Sequence, residues 1–194
     1  HLKPDRVPYD YRVLLPGYPR VMDGLKNKRL LTTLTDTGVH GEVKLLEAES
    51  PGSGVPLLVI DYPPFYERDG NPYVDSKGQD WGDNAQRFAL LSRVGAILGN
   101  SKSPLDWHPD IVQCNDWQSG LTPAYLHFSP APSAATIMTI HNMAFQGTFP
   151  ASLTSPLGLP ASSYNINGTE YYGQLSFLKA GLFYANHITT VSPT

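Results

Sequence analysis

Two short stretches combine side chains whose types and spacing could do chemistry. Asn115-Asp116-Trp117-Gln118-Ser119-Gly120 sets a carboxylate, an indole and an amide in one turn, and Thr139-Ile140-His141-Asn142-Met143-Ala144-Phe145-Gln146-Gly147 ends an apolar run in His and Asn before a glycine. Flat aromatic faces beside planar hydrogen-bonding groups are what polyhydroxylated ligands require. A plainer reading stands beside each. Asp116 can cap the helix that follows while Trp117 fills the core, and His141 can be tied to a backbone carbonyl in its turn. Both stretches follow an apolar run with strand character, Asp110–Cys114 and Thr136–Ile140. In an open parallel sheet ligands bind beyond the carboxyl ends of the strands, so the two stretches are expected on one edge, as one cleft.

The elements that would position them follow from periodicity and punctuation. Arg12–Leu15 reads as a short buried strand stopped by Pro16-Gly17-Tyr18-Pro19, since proline cannot donate to a ladder. Leu30–Thr35 and Val39–Glu47 suggest a strand pair, with a further buried strand over Pro56–Asp61. Tyr62–Trp81 carries turn chemistry around Phe65, Tyr66 and Tyr73, and a long aromatic loop is often functional. Asp83 is placed to cap a helix whose Phe88, Leu91, Val94 and Leu98 share one face, with Gly99-Asn100 as its stop. Beyond it the chain alternates: strand Ile111–Cys114, helix Gly120–His127, strand Thr136–Ile140, helix Gln174–Ala185 and strand Ile188–Val191, with a loop over Leu153–Ser163. Alternation of this kind implies right-handed crossovers and an α/β, Rossmann-like, mostly parallel sheet flanked by helices.

Bulk properties narrow the function classes. The 194 residues suit one domain, and a hydrophobic fraction of 41% with only 16% charged residues describes a folded chain, not a disordered one. A net charge of −3 with scattered basic residues leaves no footprint for nucleic acid or anionic lipid. Apolar runs such as Val55–Ile60 are too short to span a bilayer, and His1–Asp10 lacks a signal-peptide core. The single Cys114 excludes an internal disulfide framework or a cysteine metal cluster and fits a reducing cytoplasm. The histidines are dispersed, and there is no glycine-rich phosphate loop, His-Glu-x-x-His helix or nucleophile elbow.

Taken in order, the segments RVLLPGYP (12–19), NPYVD (71–75), DNAQRFALL (83–91), NDWQSG (115–120), PAYL (123–126), TIHNMAFQG (139–147), YGQLSFLKAGL (172–182) and ITTVSPT (188–194) resemble the bacterial glycogen synthase and plant starch synthase family of GT-B glycosyltransferases. The likeness runs through most of the chain, and the wording of Cys114–Leu126 looks more bacterial than plant. It implies the N-terminal half of a GT-B fold and a retaining transferase that moves glucose from ADP-glucose onto the nonreducing 4-hydroxyl of an α-1,4-glucan. It implies no metal or redox cofactor, ADP-glucose being a substrate.

Carried over residue by residue, the resemblance assigns catalytic roles to His141 and Asp116, and substrate-binding roles to Tyr73, Trp117 and Asn142, on the acceptor side of an interdomain cleft. Gln174 and Lys179 sit in a matching segment, but Leu175, Leu178 and Leu182 make that helix mostly core, with Lys179 solvated or bracing a loop. The family's opening strand with its Lys-x-Gly-Gly-Leu loop is not found in these residues, and neither is its second Rossmann-like domain, which carries most donor contacts. The expectation is therefore a single partial acceptor-side domain over 1–194, inactive alone, which meets the nucleotide sugar only with that second domain. Gln113 stands where the family often has His, and Asn167 where some members have His. Two other readings share these residues: a noncatalytic α-glucan-binding module, and another GT-B sugar transferase, the latter disfavoured by the linked DNAQRFALL, DWQSG and HNMAFQG segments.

Overall fold

A computed structural model describes residues 9–191. Residues 1–8 and 192–194, including the end of the ITTVSPT segment, lie outside the described residues. The first half forms a four-stranded sheet from β1 (Val13–Pro16), β2 (Arg29–Leu34), β3 (Val43–Glu49) and β4 (Pro56–Asp61), in the order β1-β4-β3-β2. β1 and β4 run parallel, while β3 is antiparallel to both of its neighbours. In the second half β5 (Ile111–Asn115), β6 (Ala135–Ile140) and β10 (His187–Thr190) are all parallel, with β6 central. A small antiparallel sheet of β7 (Thr148–Pro150), β8 (Glu170–Tyr171) and β9 (Gln174–Ser176) stands beside it. The helices are α1 (Pro19–Gly24), α2 (Pro63–Tyr66), α3 (Asn84–Leu98), α4 (Leu121–His127) and α5 (Phe177–Tyr184).

The two larger sheets are separate ladders joined by α3. Its Phe88, Val94 and Leu98 are buried as the periodicity predicts and Leu91 is half-buried, but Ala85, Ala89 and Leu90 are buried too, because the helix packs on more than one side. One face meets Leu45, Leu58 and Ile60 of the first sheet, and another meets Leu121, Ala124 and Tyr125 of α4. Gly95 permits this approach: a Cβ there would stand 3.1 Å from the Thr122 hydroxyl and 3.8 Å from Leu14. One turn on, Gly99 lies against Val112 of β5. β1 and β5 thus lie under one helix, and among the described residues each has a ladder on one side only.

Two local expectations are corrected. Asp83 makes no side-chain cap on α3; its carboxylate is taken by Arg68, at 2.8 and 2.6 Å. An exposed cap bond was displaced by a bidentate ion pair that ties the aromatic loop to the helix start. The helix expected over Gln174–Ala185 begins at Phe177, because Gln174–Ser176 pair with β7 and β8 instead. Ser176 then caps the shortened helix, its hydroxyl accepting from the Lys179 amide at 3.1 Å. The Lys179 ammonium donates to the carbonyls of Ile166, at 2.8 Å, and Glu170, so it braces the loop.

Burial raises the Cys114 thiol from 9.0 to about 12 and the Tyr125 phenol from 10.0 to about 12, the latter opposed by nearby Arg93. Both groups have folded pKa values above their unfolded ones. The stability tied to their neutral forms is therefore complete below about pH 9 and is lost as pH rises from about 9 to about 12. The denaturation midpoint is expected to fall steadily across that interval. Cys114 should stay unreactive toward a thiol-specific disulfide reagent at pH 8 until the protein is unfolded, since only thiolate attacks.

Candidate functional site

The carboxyl ends of β5 and β6 lie side by side, with Asn115 opposite Thr139. The chain leaves β5 through Asp116, whose amide still donates to the Thr139 carbonyl at 2.9 Å while its φ swings to 52°. With ψ at −171° this is a region populated essentially by glycine, so a residue with a Cβ is held there at a cost of ~1–3 kcal/mol. Here the conformation turns the carboxylate across to the neighbouring strand end. Oδ1 accepts from the amide of His141 at 2.7 Å and from that of Asn142 at 3.3 Å, and Oδ2 lies 3.1 Å from His141 Nδ1. Asp116 stands at the N-cap position of the turn that follows, but its side chain makes no cap bond there. His141 is held by a carboxylate, not by a backbone carbonyl.

This arrangement orients the imidazole. Nδ1 stands beside the Asp116 carboxylate, where the ring's proton is best placed, and Nε2 has no partner among the described residues. The side chain is 45% exposed, so Nε2 can meet a ligand. Asn142 uses its Oδ1 to accept from the Ala144 amide at 2.9 Å, which closes the turn and leaves the side-chain NH2 on an exposed residue. Asp116, His141 and Asn142 together offer an acceptor, an imidazole and a donor at one rim. Among the described residues no three or more His, Cys, Asp or Glu side chains gather as a metal site would require.

Aromatic residues supply the wall. Trp117 is half-buried, with Phe88 edge-on at 4.6 Å and Phe149 and Phe177 at 5.9 and 6.3 Å. The reading of Trp117 as a core plug is thus partly met: it is a pillar between the core and the rim. The freer flat face belongs to Tyr73, 41% exposed, stacked on Phe88 at 5.7 Å and 6.2 Å from Trp117. The long aromatic loop therefore reaches the same edge as the two strand ends, and the five residues expected at the site are linked along one rim, Asp116 to His141 and Asn142, and Trp117 to Tyr73. A more enclosed cavity of about 500 Å³, lined by Arg93, Asn100, Tyr125 and Phe128, lies behind α3 and α4 and includes none of the five.

Sequence reasoning gave no role to the residues that hold Tyr73. Asn71 Oδ1 accepts from the Tyr73 amide at 2.8 Å, and Asn84 Nδ2 donates to the Tyr73 carbonyl at 2.8 Å. Arg87, 1% exposed, donates to the carbonyls of Phe65 and Pro72, both at 2.8 Å, and to Asn84 Oδ1. Desolvation lowers its pKa, countered chiefly by nearby Tyr18 and Asp83. The place of Arg87 in the helix, next to Phe88 and one turn before Leu91, is the available signal, because a charge on the packed side of a helix is buried only when its donors are used. Gln118 is a further member, its Nε2 donating to the Tyr73 hydroxyl at 2.8 Å.

With this geometry in hand, the likeness to known proteins is specific. Residues 6–194 match the starch synthase catalytic domain family. The chain is 55% identical over 188 residues to a glycogen synthase of Nitrosospira multiformis, covering 95% of this chain and 38% of that protein. It is 54% identical over 187 residues to a glycogen synthase of Nitrosomonas eutropha, covering 95% and 37%. Among solved structures it resembles the catalytic domain of starch synthase IV from Arabidopsis thaliana bound to ADP and acarbose, at a TM-score of 0.75 and 27% identity, over 94% of this chain and 38% of that one. The chain thus spans about 38% of the length of the curated relatives it matches.

Proposed function

The chain belongs to the starch synthase catalytic domain family, and from that premise we propose that it forms the acceptor-side wall of a glycogen synthase, which transfers glucose from ADP-glucose to the nonreducing end of an α-1,4-glucan with retention. The observation that carries the reading is the Asp116 carboxylate, which binds both amides and the imidazole of the neighbouring strand end at the rim of parallel strands. His141 Nε2 and the Asn142 amide then hydrogen-bond glucose hydroxyls, and Tyr73 offers its face to a pyranose ring, with Trp117 supporting it. Holding the attacking hydroxyl in this way is worth up to ~7–11 kcal/mol of barrier in favourable intramolecular cases.

The donor diphosphate is met by parts of the whole protein beyond these residues, chiefly its second domain. The family's opening strand, which the resemblance implies, would pair in the space under α3 between the edges of β1 and β5 that carry no ladder among the described residues. A cytoplasmic site of action accords with one buried, unpaired thiol. Among the described residues no helix is long and apolar enough to cross a membrane.

The test has two arms. The full-length protein, assayed with radiolabelled ADP-glucose and UDP-glucose on glycogen, should transfer from ADP-glucose at least tenfold faster, with activity unchanged after dialysis against EDTA. This chain alone should bind maltotetraose weakly and turn over nothing. No transfer by the full-length protein while the glucan still binds would select a noncatalytic glucan-binding module instead, and EDTA-sensitive activity would overturn the metal-free chemistry.

A further inference from the structure

We propose that Gln118 is a positioning residue that makes Tyr73 a hydrogen-bond donor to the sugar, by giving its own side-chain N–H to the phenol oxygen. The proposal rests on the reading of the groove as an α-glucan site and goes beyond it by assigning a residue and the direction of one bond. A phenol has a single proton and accepting lone pairs. Once the Gln118 amide, 2.8 Å away, supplies a donor to the oxygen, the phenolic proton is free to point elsewhere, and no described residue accepts it.

The rest of Tyr73 is already constrained. Its amide is held by Asn71, its carbonyl by Asn84, the preceding carbonyl by Arg87, and its ring by Phe88. The hydroxyl is the last free element, and Gln118 fixes it. The bond also joins residues 45 apart in sequence, one from the aromatic loop and one from the turn that carries Asp116. Tyr73 therefore cannot leave the groove without breaking its tie to the same turn that orients His141. The acceptor it addresses is a sugar oxygen, which a ligand with a hydrogen or a methyl group at that position would not offer.

Substitutions that change only the polarity of the bond give the test. The carboxylate introduced by Gln118→Glu can only accept, so it draws the phenolic proton inward and leaves a lone pair facing the sugar. Gln118→His restores an N–H at similar reach. Titrating the protein with maltotetraose and following indole emission, Tyr73→Phe and Gln118→Glu should each weaken binding about fivefold, the size of one ordinary hydrogen bond. The double variant should be no weaker than the poorer single one, as coupled residues require, and Gln118→His should lie within about twofold of wild type. Separately, without sugar, Gln118→Leu should lose near-ultraviolet circular dichroism arising from the Tyr73–Trp117 pair, while Gln118→His keeps it. Wild-type affinity in Gln118→Glu, additive losses, or an unchanged dichroism band in Gln118→Leu would each overturn the proposal. If wild type itself shows no saturable response to maltotetraose, the glucan reading fails, and the dichroism comparison still decides whether Gln118 positions Tyr73.

Discussion

Asp116→Ala in the full-length protein is expected to cut the kcat/KM for glucose transfer by about two to three orders of magnitude while the chain remains folded. The carboxylate has three partners, the amides of His141 and Asn142 and the imidazole of His141, and alanine removes all of them. A hydrogen bond to a charged group is worth ~1.5–3 kcal/mol, and the 24% exposure of this carboxylate argues for the lower part of that range. Two such losses expressed at the reacting geometry give ~3–4 kcal/mol, which is the predicted factor. Asp116→Asn keeps one neutral acceptor and should lose only about tenfold. Asp116→Gly separates strain from chemistry: it relieves the strained backbone at this position, so it should be ~1–3 kcal/mol more stable than Asp116→Ala yet equally inactive. An Asp116→Ala enzyme within fivefold of wild type would show that the imidazole does not need its carboxylate. The checks are steady-state kinetics and urea melts on the same preparations.

How far the site was legible in the sequence differs by residue, for physical reasons. The placement of Asp116–Trp117 and His141–Asn142 on one edge followed from strand–helix alternation, since parallel strands joined by crossovers must present their carboxyl ends together. Their direct contact did not follow, because it depends on the positive φ of Asp116, and a backbone angle leaves no mark in residue spacing. The spacing of Phe88, Leu91, Val94 and Leu98 marks the helix, with Leu91 only half-buried, yet it hides the additional burial of Ala85, Ala89 and Leu90, which arises only because α3 packs between two sheets and α4. Gln174–Ser176 were misassigned to a helix because Leu175 and Leu178 fit a helical stripe; the competing ladder with β7 and β8 is a tertiary contact that outweighs local preference. Trp117 was read as either a plug or a sugar platform. It is a pillar, and the more exposed ring beside it is Tyr73, whose position depends on Arg87 and two asparagines distributed along the chain.

Gly147 carries the second large effect. Gly147→Ala should destabilise the chain by ~2–5 kcal/mol, combining ~1–2 kcal/mol for an L side chain at left-handed φ with ~1–3 kcal/mol for overpacking. Its φ is 57°, and a Cβ there would fall 2.6 Å from Trp117 Cδ2, against ring atoms rather than the end of a flexible chain. Neither partner can yield cheaply. The indole is wedged by Phe88, Phe149 and Phe177, and the Gly147 segment is pinned from the other side, where its carbonyl accepts from the Phe177 amide at 3.0 Å and the Gln146 carbonyl from the Leu178 amide at 3.1 Å. Those are first-turn amides of α5, which have no partner within their own helix. Displacing Gly147 therefore either frees helix donors or moves Trp117, and Trp117 adjoins Asp116. Gly173→Ala is the matched control, with a φ of 78° and open space around the added carbon, so it should cost only the backbone share, ~1–2 kcal/mol. At ~2–4 °C per kcal/mol for a chain of this length, the melting temperature of Gly147→Ala should fall well below that of Gly173→Ala, with a shifted indole emission maximum in the former alone. Equal melting temperatures for the two variants would mean that the indole does not rest on Gly147, and that the rim and α5 are not braced through it.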